Sequence, residues 1–253
     1  MIHSILIIGQ SNMAGRGLLS EAEPLNTNGG KLQVLRNGRW QTMFRIVNPD
    51  RPFAGTCLAE SFALAYSLDH PDVSVGVIPC ADGGTTLDQW REGSLLFDNA
   101  VYQTRLALRT SHLVAILWHQ GEGDCGENKH PLYLEKITKI MSALRREIGA
   151  EDVPLLVGGL GDFLKDRSES PALANYPFVN DALRAFAAAS QRTAYVDATG
   201  LASNPDNLHF SASSLKEFGL RYYEEFKKIE DKDRIFNEKS KMDDAVRTAM
   251  ELL

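Results

Sequence analysis

Four short segments hold the residue types that could do chemistry together. "GQSNMAGRG" (9–17) puts Ser11 between Gln10 and Asn12, directly after an apolar run. "CADGGTTLDQW" (80–90) carries the glycine pair Gly83–Gly84, and "WHQGEGDCGE" (118–127) clusters His119, Gln120, Glu122 and Asp124. "NPDNLHFS" (204–211) gives Asp206 and His209 in a D-x-x-H spacing. A serine hydroxyl becomes a nucleophile when a base takes its proton, and a carboxylate behind an imidazole fixes the tautomer that does so. Ser11, His209 and Asp206 have the right types, and Glu122 is a second carboxylate able to orient a histidine. Paired glycines let a backbone N–H approach a ligand, and the Gln120 amide could donate to an oxyanion. Taken singly, each piece is ordinary: an N-cap serine, a strand-to-helix turn, a surface histidine. "GQSNM" is also not G-x-S-x-G, so the nucleophile elbow is unmatched. His119, Glu122 and Asp124 fit no strong metal template, and this chemistry calls for no metal or cofactor.

These segments need elements to position them. Apolar runs at 4–9, 73–79, 112–121, 153–160 and 193–198 read as strands buried on both faces, as in a parallel sheet. Helical periodicity lies between them at 56–69, 130–149 and 178–191, the second with Pro131 near its start and Gly149 at its end. The expectation is an α/β fold with three layers and a doubly wound, mostly parallel five-stranded sheet. Reactive groups in such folds gather beyond the C-terminal strand ends, where the segments above sit. Residues 18–55, rich in Gly, Pro and Asn, read as an insertion loop with two β-like pieces around Trp40. Residues 213–253 read as two helices. Residues 1–230 are expected to form one domain, with 231–253 as a helical extension.

The 253 residues are 43% hydrophobic with a formal net charge of -6, enough for a sizeable core and without the basic face of a nucleic-acid binder. Three cysteines, Cys57, Cys80 and Cys125, stand far apart and fit free thiols in a reducing compartment. No apolar run approaches the roughly 18 residues of a membrane span, and the first residues lack a basic leader region. A cytoplasmic protein without membrane or nucleic-acid partners is expected. Its oligomeric state is left open.

The four segments in this order resemble the SGNH hydrolase superfamily. They are most similar to its carbohydrate-esterase branch, the sialate O-acetylesterase-like and acetylxylan-esterase-like proteins, over roughly residues 3–222. The resemblance implies a flavodoxin-like fold and a serine esterase that removes acetyl groups from acetylated carbohydrates through an acyl-enzyme. It implies Ser11 as nucleophile, His209 as base, and Asp206 as acid with Glu122 competing. The oxyanion donors would be the Ser11 amide, Gly83 or Gly84, and Gln120. Asn12, Arg16 and Trp90 are candidates for substrate contact, and Trp40 could also face a sugar. The alternatives are another small-acyl esterase, a thioesterase or lipase of the same superfamily, or a non-catalytic sugar-binding relative.

Overall fold

A computed structural model describes residues 1–251. Seven strands form one sheet: β1 (Ile2–Gly9), β2 (Leu32–Arg36), β3 (Arg39–Thr42), β4 (Ser74–Pro79), β5 (Ser111–His119), β6 (Leu155–Gly158) and β7 (Thr193–Val196). Six α-helices accompany them: α1 (Ser11–Ala14), α2 (Leu58–Asp69), α3 (Leu95–Ala107), α4 (Tyr133–Ile148), α5 (Tyr176–Ala189) and α6 (Ala212–Glu251). The strand order is β3-β2-β4-β1-β5-β6-β7, parallel except for the β2–β3 hairpin. The five expected strands are present, and the expectation of five is corrected to seven. The extra two come from the 18–55 segment, where the β-like pieces flanking the Asn37–Gly38 turn pair along the sheet edge.

The apolar runs lack alternation because both faces are covered. Leu6 and Ile8 of β1 face a cluster built with Val101 of α3, Ile137 of α4 and Leu183 of α5. Ile5 and Ile7 face the opposite cluster, with Phe62 of α2 and Phe218 of α6. All four β1 side chains are fully buried, each contributing about 1.5–3 kcal/mol.

β1 lies between β4 and β5, where the winding reverses direction, so its C-terminal end opens at the crevice that collects ligands in open α/β sheets. Gly9, with φ of 131°, ends β1 so close to β5 that an added Cβ would lie 2.1 Å from the His119 carbonyl oxygen. The next residue is Gln10, and Ser11 follows on the first turn of α1.

The two helices expected over 213–253 are one, α6. No Gly or Pro interrupts the chain after Gly219, and short-range ion pairs such as Lys227–Glu224, Lys228–Glu225 and Arg247–Asp244 sustain it. Its first half packs on α2; from Lys241 onward the described side chains are exposed. Leu252 and Leu253 lie outside the described residues. No described helix is long and apolar enough to cross a membrane.

Candidate active site

Ser11, His209 and Asp206 meet. The Ser11 hydroxyl Oγ lies 3.0 Å from His209 Nε2, and His209 Nδ1 lies 2.6 Å from Asp206 Oδ2. An imidazole with its Nδ1 proton held by a carboxylate presents a bare Nε2 to the hydroxyl. The D-x-x-H spacing works because the 204–209 segment turns tightly. The Leu208 and His209 amides both donate to Asp206 Oδ1, and the Asn204 amide donates to the His209 carbonyl. Partial burial resists charge on Asp206, but those amide bonds and the imidazole outweigh it, and its carboxyl is held below the usual carboxylate range. Arg167 donates to the Asp206 carbonyl from the far side.

Glu122 does not stand behind the histidine. Its Oε1 accepts a 2.5 Å bond from Asn12 Nδ2, which corrects its candidacy as the acid contacting His209. Asn12 is also not free to meet a substrate as expected. Its Nδ2 donates to the Leu208 carbonyl at 3.1 Å and its Oδ1 accepts the Phe210 amide at 3.0 Å. One residue past Ser11, Asn12 therefore grips the chain on both sides of His209, and Glu122 anchors Asn12. Asn12 and Glu122 are both buried. Behind Glu122, His119 Nδ1 lies 4.0 Å away while its Nε2 donates to the Gly159 carbonyl; complete burial lowers the His119 pKa. Asp124 turns away from both and accepts the Leu87 amide and the Gln120 side chain. The three do not form a metal-ligating cluster, and no such group occurs among the described residues.

Gln120 is placed away from the pocket, against the expectation of an oxyanion donor. Its Nε2 donates to the Thr85 carbonyl and to Asp124 Oδ2, and its Oε1 accepts from the Tyr133 hydroxyl. It is fully buried with both ends of the amide occupied. Gly83 is corrected likewise, because its amide donates to Asp50 Oδ2 at 2.8 Å. An added Cβ there would meet Arg16 at 2.5 Å and Asp50 at 2.9 Å. Gly84 has φ of 77°, faces open space, and has an amide without a hydrogen-bond partner among the described residues. The Ser11 amide is also uncommitted.

Arg16 reaches the pocket as a wall. It forms a two-pronged pair with Asp50 at 3.0 and 2.7 Å, both side chains buried, beneath the Phe53 ring. Trp90 is corrected to a core residue: it is 2% exposed, packs edge-on against Trp118, and donates to Thr85 Oγ1. Trp40 sits over Gly76 at the sheet edge and donates to Thr110, also away from the site. Sequence reasoning missed Asp50, which braces the glycine turn, and the rim residues Arg51, Lys129 and Arg167. Single charged residues in polar loops carry no pattern from which a pocket could be read.

The pocket over Ser11 and His209 has a volume of about 570 Å³. Gln10, Gly84, Glu122, Phe53 and Leu173 are among its walls, with Arg51, Lys129 and Arg167 at its edge. Arg51 is paired with the Asp82 carboxylate, whereas Lys129 donates to the neutral Gly123 carbonyl. All three thiols are free and buried. Burial raises each thiol pKa, Cys80 to about 12, which keeps them protonated and non-nucleophilic.

A doubly wound sheet with these groups at the end of its first strand defines the class: the fold is that of the SGNH- and lipase-like hydrolases, shared for instance with a lipase/acylhydrolase from Enterococcus faecalis. The chain itself belongs to the carbohydrate esterase, sialic acid-specific acetylesterase family, whose model matches residues 2–228. It is thus a carboxylic ester hydrolase. The probable carbohydrate esterase At4g34215 of Arabidopsis thaliana is 25% identical over 244 residues, covering 85% of this chain and 86% of that protein. Its X-ray structure matches with a TM-score of 0.78 at 22% identity over 89% of this chain and 98% of that one. XAC1771, a carbohydrate acetylesterase from Xanthomonas citri, matches with a TM-score of 0.68 at 18% identity, covering 90% of this chain and 56% of that one.

Proposed function

We propose that this protein is a serine esterase that removes acetyl groups from acetylated carbohydrates through an acyl-enzyme on Ser11. The observation that carries the reading is the continuous relay of hydroxyl, imidazole and carboxylate, at 3.0 and 2.6 Å across 198 residues of sequence. His209 takes the Ser11 proton as Oγ attacks the ester carbonyl, and the carbonyl electron pair moves onto oxygen. The Ser11 and Gly84 amides stabilise that oxyanion. His209 then protonates the leaving sugar oxygen. Water attacks the acetyl-serine by the same sequence and releases acetate. Asp206 is the acid that keeps His209 in the working tautomer.

The substrate class follows from the family and from the named activities of relatives such as XAC1771. A pocket of about 570 Å³ with polar and cationic edges suits a sugar better than a long acyl chain. The buried free thiols favour a reducing compartment. Hydrolysis of p-nitrophenyl esters from acetyl to octanoyl tests the acyl preference, with activity expected to fall steeply beyond acetyl. Mass spectrometry of protein quenched during turnover should find acetyl on Ser11. Undiminished hydrolysis by Ser11→Ala would refute the nucleophile.

A further inference from the structure

We propose that Phe53 is the platform on which the sugar ring of the substrate stacks. The inference rests on the carbohydrate-esterase reading above and adds the wall that recognises the ring. Phe53 lines the pocket over Ser11 and His209, yet it is 71% exposed. An aromatic ring standing open at the mouth of a pocket with polar edges is placed to receive the apolar face of a ligand. Among the described residues no other Phe, Tyr or Trp lines this pocket. Trp40 and Trp90, the rings that the sequence offers for a sugar, lie at the sheet edge and in the core. Arg16 takes one face of the Phe53 ring, with its guanidinium carbon 5.3 Å from the ring centre. The other face is left for a substrate.

The ring is fixed relative to Ser11. Phe53 stands in a turn closed by the Ala54 amide on the Arg51 carbonyl. The chain just after it is stapled to the segment that follows Ser11. The Gly55 amide donates to the Gly15 carbonyl, and Gly17 and Thr56 exchange both backbone bonds. The two segments touch backbone to backbone, since a Cβ added to Gly55 would lie 2.0 Å from the Gly17 carbonyl oxygen. Arg16 beneath the ring is gripped by Asp50, and Asp50 also holds the Gly83 amide. The platform and the glycine turn beside Ser11 therefore share one anchor. A ring held in advance loses little freedom on binding. Ser11 is 6% exposed, so the acetyl carbonyl enters first and the alcohol half trails towards the mouth, where Phe53 lies. A pyranose carries C–H groups on its faces and oxygens around its edge. The C–H face lies against the phenyl ring, and the edge oxygens face Arg51 and Arg167.

The test compares kcat/KM on peracetylated methyl pyranosides of xylo, gluco and galacto configuration with kcat/KM on ethyl acetate, which has no ring. The quantity read is the ratio of the best pyranoside to ethyl acetate. Phe53→Ala should lower that ratio about tenfold, the equivalent of about 1.4 kcal/mol, with the loss mainly in the KM of the pyranoside. Phe53→Tyr keeps the flat ring and should hold the ratio within about twofold of the parent. Phe53→Leu, apolar but without a flat face, should fall between the two. Poor folding or a disturbed Ser11–His209 pair lowers both rates together and leaves the ratio alone, so neither imitates the effect. A Phe53→Ala ratio within about twofold of the parent overturns the proposal and marks Phe53 as a cover for Arg16. A Phe53→Tyr ratio that falls as far as that of Phe53→Ala overturns it as well. A parent that favours none of the pyranosides over ethyl acetate, or that carries no acetyl on Ser11 during turnover, would defeat the carbohydrate-esterase reading instead.

Discussion

Replacing Asn12 by alanine separates two accounts of this residue. The sequence suggests a substrate contact, whereas the structure makes it a strap on the histidine loop. Asn12 is 1% exposed and makes three bonds: to Glu122 Oε1, the Leu208 carbonyl and the Phe210 amide. Asn12→Ala leaves a buried carboxylate without its donor and two backbone groups without partners. Unpaired buried groups cost about 1–3 kcal/mol each, more when charged, with partial relief by relaxation. A loss of about 3–5 kcal/mol is expected, and for a domain of this size that lowers Tm by about 10 °C. Below the transition the His209 loop is no longer fixed relative to Ser11. General-base catalysis supplies about 10²–10⁴-fold, so a kcat loss on the order of 10² is expected while KM stays nearly constant. Asn12→Asp alone should be worse, since it sets a second carboxylate against Glu122. Combined with Glu122→Gln it should recover most of the loss, because the new amide can donate to the new carboxylate. Thermal melts and steady-state kinetics on p-nitrophenyl acetate measure both effects. An Asn12→Ala protein with an unchanged Tm, unchanged kcat and a raised KM would show that the side chain meets substrate, and the strap account would be wrong.

Three further outcomes are expected. Asp206→Asn should lower kcat on the order of 10⁴-fold by analogy with the triad template, whereas Glu122→Gln, which can still accept from Asn12, should stay within about tenfold; kinetics showing the reverse order would reassign the acid. Trp90→Ala should destabilise the protein by about 3–5 kcal/mol as a core truncation without raising KM, read from denaturant melts and kinetics at low temperature. Burial, then the neighbouring His112 and His70, lowers the pKa of His3, so between the ordinary histidine value of 6.5 and the lower folded value the unfolded chain binds more protons. His3 therefore stabilises the fold fully above that range and progressively less as pH falls through it. Melting temperatures measured from pH 7.5 to 5 should fall less steeply in His3→Gln; an unaltered slope would contradict this assignment.

What could be read from the sequence follows from which physical signals are local. β1 and α4 were legible because burial leaves a one-dimensional pattern: an unbroken apolar run for a strand covered on both faces, and a stripe spaced by three and four for Ile137, Ile140, Met141 and Leu144. The β2–β3 hairpin was only partly legible, since β3 has mostly exposed residues and sits at the sheet edge. α3 leaves little pattern in the sequence: its face is apolar only at Phe97, Ala100, Val101 and Ala107, and exposed Leu95 and Tyr102 blur the stripe. From sequence, α6 reads as two helices because the apolar pattern stops where packing stops, while the helix itself continues.

The site divides along the same line. Asp206 and His209 lie three residues apart on one turn, so their contact is a local matter that spacing can suggest. The Asn12 strap joins residues 196–198 positions apart, and nothing near Asn12 foretells whether its amide faces a ligand or a loop. The two glutamines make the sharpest case. β1 and β5 pair in parallel register with Gly9 opposite His119, so Gln10 and Gln120 follow at matching positions beyond two adjacent strand ends. Composition, spacing and strand assignment do not distinguish them as amide donors. What separates them is the neighbours each side chain meets. Gln120 meets Thr85, Asp124 and Tyr133 in the core, whereas Gln10 meets two glycine amides that take only its oxygen. Which of the two amides is enclosed in the core is decided by tertiary hydrogen bonding once the sheet has formed, and chain order does not display it.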